Sequence, residues 1–214
     1  MSKSLLLDNR GIISWLLSQI ALLLAAGILI GAIAGLTFYN DWQKQAEAKA
    51  IASHFASFVE TMDLKEFPEK MTYLFPEKSY YYKVKISTDY VSVTREDGTI
   101  KNKIIGREEL LIQPYIRPIE RKWSWNDSKE LHDFLMDKYA HSGYIDDPIP
   151  MDEKSDVLEY LKNELSDKSK ELAKEPLIME NPNEPLFIEK AFIYFKKDGG
   201  LDREGIVIIH QKEE

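Results

Sequence analysis

The sequence predicts an α+β protein: a long N-terminal helix, membrane-spanning and then amphipathic, with an antiparallel-sheet head containing two inserted helices. Three observations lead there. Gly11–Asn40 runs thirty residues without a charge. From Tyr80 the apolar residues recur at every second position, the period of a half-buried strand. Between strand-like segments at the two ends of the head, two stretches return to helical spacing.

The first element is the uncharged run. A bilayer core takes about 20 helical residues to cross, and backbone polar groups in lipid must be paired within the segment, so a spanning stretch of this length is a helix. The helical pattern then continues into water. In Asp41–Asp63, Ile51, Phe55, Phe58, Val59 and Met62 share one side, opposite Lys44, Glu47, Lys49, Ser57 and Glu60. The pattern breaks over Leu64–Pro68, where Pro68 serves as a stop.

Strands follow. Tyr80, Tyr82, Val84 and Ile86 alternate with Tyr81, Lys83 and Lys85. Val91 and Val93 repeat the alternation, and Asp97-Gly98 supplies a turn into Ile100–Ile105. Leu110–Ile119 is apolar and extended, but Pro114 and Pro118 confine it to an edge or a bend. Asp127 or Ser128 then caps a helix through Tyr139 with Leu131 and Leu135 on one side. A second helix runs from Asp152 to about Ala173 with Val157, Leu158, Leu161, Leu165 and Leu172 inward. Pro176, Pro182 and Pro185 close the helical region, and Leu186–Lys196 with Gly205–Gln211 forms a hairpin across Asp198-Gly199-Gly200.

Composition narrows the chemistry. The net charge is -8, and of the charged residues only Lys3, Asp8 and Arg10 precede Asp41, so the head is acidic. An acidic surface repels phosphate backbones, which argues against nucleic-acid partners. With no cysteine there are no disulfides, thiolate metal sites or cysteine nucleophiles. The four histidines, His54, His132, His141 and His210, lack paired metal-ligand spacing, and neither a G-x-S-x-G elbow nor a phosphate-cradling glycine loop occurs. The expectation is a protein that is not an enzyme and uses no cofactor.

Several residues invite functional readings beside structural ones. Asp133, Asp137 and His141 fall at i, i+4 and i+8, a spacing that suits a hard divalent ion, though a solvated acidic face gives the same pattern. Asn126-Asp127-Ser128 is an N-glycosylation sequon, with Asn126 the acceptor if the head lies outside the cell. Trp123 and Trp125 offer either a stacking surface on one strand face or core packing. Gly27, Gly31 and Gly35 form a small-residue stripe on which two membrane helices can approach closely, with Ala34 beside it.

The N-terminal run itself admits three readings: a cleaved secretory signal, for which the apolar run is about twice the usual length, an uncleaved signal anchor, or a signal cut before the helix. Arg10-Gly11 followed by Ile12-Ile13-Ser14, a hydrophobic helix and its amphipathic extension resembles the archaeal type IV pilin-like family. The resemblance covers roughly residues 8–62. It implies that a prepilin peptidase cuts between Gly11 and Ile12, with Arg10 in the recognition motif. The fifth residue of the processed chain would be Leu16, where bacterial major pilins carry a glutamate, so the likeness is to the archaeal version. It further implies a leader at 1–11, a transmembrane and amphipathic helix at 12–63, and an extracytoplasmic head at 64–214. The expected partners are membrane lipid and sister or other pilin-like subunits, met through the transmembrane helix. An uncleaved single-pass protein with an extracytoplasmic binding or sensing head is the alternative.

Overall fold

The structure is a computed structural model that describes residues 5–78, 80–97, 100–118, 123–180 and 183–211. It is mixed α+β and divides into two compact units, Met1–Gln45 and Ala46–Glu214. Helix α1 covers Leu5–Asp63. Within it, Ser14–Leu36 is long and apolar enough to cross a membrane, and none of that stretch is buried within the chain. Its last residues belong to the second unit, where Ala48, Ile51, Ala52, Phe55, Ala56, Val59 and Met62 are all buried. The alanines at positions 48, 52 and 56 repeat every fourth residue, leaving a low face on which sheet backbone can lie close. Pro68 offers no amide hydrogen and disfavours helix at the residue before it, consistent with the end of α1 at Asp63.

The second unit holds two sheets where the alternation alone pointed to one. The first contains β1 (Glu69–Tyr73), β5 (Tyr115–Arg117), β6 (Ile149–Pro150), β8 (Leu186–Lys197) and β9 (Gly200–Gln211). Its order is β1-β8-β9-β5, with β6 also beside β8. The second sheet runs β4-β3-β2-β7, from β2 (Tyr82–Ile86), β3 (Tyr90–Asp97), β4 (Ile100–Glu109) and β7 (Leu177–Met179). Most pairings are antiparallel, but β5–β9 and β6–β8 are parallel. Period-two spacing says which side of a strand is apolar and nothing about its neighbour, so it cannot divide one sheet from two. Strands β6 and β7 are too short to display a period, and β1, Glu-Lys-Met-Thr-Tyr, has too few apolar residues to show one. Strand β9 starts at Gly200 rather than Gly205, its polar first half pairing fully with β8. Gly199 adopts φ 78° in the connecting turn, a conformation glycine enters without steric cost. Gly98 of the expected Asp97-Gly98 turn lies outside the described residues.

Helix α2 (Ser128–Tyr139) is capped by Asp127, whose carboxylate accepts from Glu130 N at 2.8 Å. Glu130 in turn accepts from the Asn126 backbone N at 2.8 Å and its Nδ2 at 2.9 Å. Replacing Asp127 with Ala is expected to lower stability by about 1 kcal/mol, the usual worth of an N-cap, read from the urea midpoint at unchanged slope. A 3-10 turn, Met151–Glu153, leads into α3 (Lys154–Lys174), which therefore begins two residues later than its sequence pattern indicated.

Two cores result. One joins the buried face of α1 to the second sheet (Val84, Ile86, Val91, Val93, Leu177, Met179) and to Leu186, Ile188, Val207 and Ile209 of the first. Phe55, Tyr73 and Phe75 meet there edge to face or tilted at ring-centroid distances of 5.0 to 5.2 Å. The other core packs Leu131, Leu135, Val157 and Leu161 of α2 and α3 against Ala191, Ile193, Phe195, Ile206 and Ile208 on the opposite face of the first sheet.

Candidate functional site

Side chains two apart on a strand share a face, and registered partners on neighbouring strands lie side by side. On the face of the first sheet that meets α2 and α3, β8 presents Phe187, Glu189, Ala191, Ile193 and Phe195. Beside them β9 places Ile206, Ile208 and His210. The apolar members carry α2 and α3. At the other end the row turns polar: Thr72, Phe187, His210 and Arg117 are successive partners across β1, β8, β9 and β5, with Lys70 paired to Glu189 alongside.

Two buried charges organise this end. Glu189 is 3% exposed. One of its oxygens accepts from His210 Nε2 at 3.0 Å and pairs with Lys70 Nζ. The other accepts from the Ser128 backbone N at 3.0 Å. Burial alone would raise this carboxyl's pKa. The donors from His210, Lys70 and Ser128 outweigh it and hold the group well below the usual carboxylate range. Such a carboxylate is a poor base at neutral pH. Because Ser128 bonds the carboxylate and not the imidazole, the trio does not form a nucleophile–base pair. It does tie β1, β8, β9 and the first turn of α2 to one point, with negative charge at a helix N-terminus where the dipole favours it.

Arg117 is the second charge, 2% exposed. Its guanidinium carbon lies 3.8 Å from the Trp125 ring centroid, 4.8 Å from Trp123 and 5.6 Å from Tyr115. Glu164 Oε1 of α3 stands 3.4 Å from Nη2. Burial pulls the guanidinium down to about 10, with the Glu164 charge opposing the fall. The Tyr115 hydroxyl, pushed up by burial, donates to the Leu161 carbonyl at 3.0 Å. Trp123 and Trp125 thus occupy a loop between β5 and α2 beside Arg117; Trp125 takes the core-packing alternative, and the stacking surface on one strand face is not formed.

The other sequence candidates stand apart. Helix α2 ends at Tyr139 and Ala140 turns left-handed with φ 58°, which takes His141 off the face shared by Asp133 and Asp137. His141 instead pairs with Asp147 at 2.9 Å. Ser142 N and His141 together hold the Asp147 carboxyl down at about 2. Among the described residues no three His, Asp or Glu side chains assemble as a metal site. Asn126 is exposed. Gly27, Gly31 and Gly35 lie in α1 with nothing within 4 Å of an added Cβ in this single chain. Arg10, Gly11 and Ile12 fall within α1, and their side chains lie outside the described residues.

Glu189, His210, Lys70 and Arg117 were not singled out by motif. The signal that could have found them is phase: Glu189 shares its parity with Ile193 and Phe195, and His210 shares its parity with Ile206 and Ile208. A charge on the buried parity of a strand must have partners. Comparison with protein-family models, with curated proteins and with solved structures finds no match for the chain.

Proposed function

We propose that this chain is a membrane-anchored, non-enzymatic pilin-like or pseudopilin-like subunit of a cell-surface filament or of its assembly machinery. The observation that carries the reading is α1: its Ser14–Leu36 stretch has the length and apolarity of a membrane span, while residues Ala48–Met62 supply the core of the folded head. A subunit built so has one helix serving two solvents in turn, lipid first and sister helices after extraction. Gly27, Gly31 and Gly35, open along their whole stripe, are the proposed contact between such helices. The head lies on the extracytoplasmic side in this reading, where the exposed Asn126 is available for glycosylation.

Processing tests it. Co-expression with an archaeal prepilin peptidase is expected to yield a chain whose intact mass begins at Ile12, and Gly11→Leu is expected to abolish the cut. A full-length mass in both cases would favour the uncleaved single-pass binding or sensing protein. A cut beyond Leu36 would instead make the run an ordinary secretory signal.

A further inference from the structure

The Arg117 cluster holds more polar atoms than it pairs. Among the described residues, Arg117 Nε and Nη2, Trp125 Nε1, Tyr160 Oη and Glu164 Oε1 are buried and make no hydrogen bond. Nε and Nη2 form one edge of the guanidinium, the fork that matches the two oxygens of a carboxylate. Glu164 neutralises the charge but reaches one nitrogen with one oxygen at 3.4 Å, beyond good hydrogen-bond length, and leaves the fork unfilled. The fully buried Trp125 ring lies over the guanidinium and stays there when Trp123 moves, so the donors are oriented in advance.

The cover is Trp123. It is only half-buried, and its Nε1 donates to the Pro118 carbonyl at 3.1 Å while Lys168 Nζ sits 4.7 Å from its ring centroid. Trp125, by contrast, is fully buried and belongs to the second core. Of the two rings, Trp123 is the one that can turn outward without opening that core.

We propose that Arg117 is a latent site for a small monocarboxylate, which takes the Nε–Nη2 edge in place of Glu164 when Trp123 turns away. Because Arg117 is only 2% exposed, the occupant is the smallest of the class, acetate, with its oxygens on the fork. The site is independent of N-terminal processing, so its failure leaves the anchored-subunit reading untouched.

The test uses the full chain in detergent, titrated with sodium acetate against sodium chloride at equal ionic strength. The readout is the Trp125 indole N–H resonance. Acetate is expected to shift it saturably and chloride is not. Glu164→Gln, which removes the built-in competitor, is expected to tighten acetate binding about tenfold. Arg117→Lys keeps the charge without the fork and is expected to lose the response. Equal effects of acetate and chloride, or a response that survives Arg117→Lys, would overturn the proposal. If Glu164→Gln does not fold, Trp123→Ala takes its place: loss of the cover must tighten acetate binding, and unchanged binding counts against the site.

Discussion

Glu189→Ala is expected to cost about 3 kcal/mol of stability, several times the effect of a typical surface substitution. The size follows from what is stranded. His210 and the Ser128 backbone N lose their acceptor inside the protein, and Lys70 loses its ion pair. Lys70 can rehydrate, because its side chain is half exposed, but His210 is buried and cannot. Urea unfolding of the full chain in detergent measures the loss. A cost below about 1 kcal/mol would show that the four elements meeting at Glu189 do not depend on it.

The same residue sets a pH dependence whose sign is fixed by the direction of its shift. A carboxyl held below its unfolded value contributes stability that is fully present above the unfolded pKa and is lost as pH falls through the folded one. Glu189 is shifted down, so the stability gap between the parent and Glu189→Gln is expected to be largest above about pH 5 and to shrink steadily as pH falls below it. A gap that widened on acidification would contradict the hydrogen-bonded, ionised state described for Glu189.

Gly106→Val is expected to be equally damaging for a different reason. Register shifts between Val93 and Thr94, which pair with Gly106 and Ile104, so β4 bulges at this point and its backbone approaches α1. A Cβ on Gly106 would stand 2.4 Å from Lys49 N, 2.5 Å from the Ala48 carbonyl carbon and 2.7 Å from its oxygen. These are helix backbone atoms, and no rotamer change relieves the overlap. Either strand or helix must shift, at a cost of roughly 3 kcal/mol, the upper end of overpacking effects. Gly106→Ala already adds the offending atom and should cost much of the same. Gly200→Ala is the control, since nothing lies within 4 Å of its Cβ and its stability should change by less than about 1 kcal/mol. Comparable losses at Gly200 and Gly106 would mean that conformational freedom, and not close contact, is what glycine supplies at Gly106.

These two residues mark how far the sequence could be read. The glycines that drew attention there were Gly27, Gly31 and Gly35, because their spacing is visible along the chain. Gly106 has no such pattern. Its partner is an alanine more than fifty positions earlier, and only the approach of β4 to the α1 backbone at Ala48 and Lys49 gives it a role. Asp127 was legible as a helix cap because capping is local, a matter of one side chain and an amide three residues on. Trp123 and Trp125 were legible as a pair but not as the walls around Arg117, since the guanidinium they enclose enters from a different element.

By itself the sequence determined the features that depend on neighbours within a few positions: the apolar length of Ser14–Leu36, the buried stripe from Ile51 to Met62, the extent of α2, and the hairpin around Gly199. Periodicity and turn chemistry are properties of the local chain, and they survive without knowledge of the fold. Tertiary structure alone decided that there are two sheets, that β5 and β6 join theirs in parallel, and that Glu189 and Arg117 are buried among partners from β1, β9, α2 and α3. Those outcomes rest on which surfaces meet across long stretches of chain. A hydrophobic pattern states that a face must be covered, and leaves open by what.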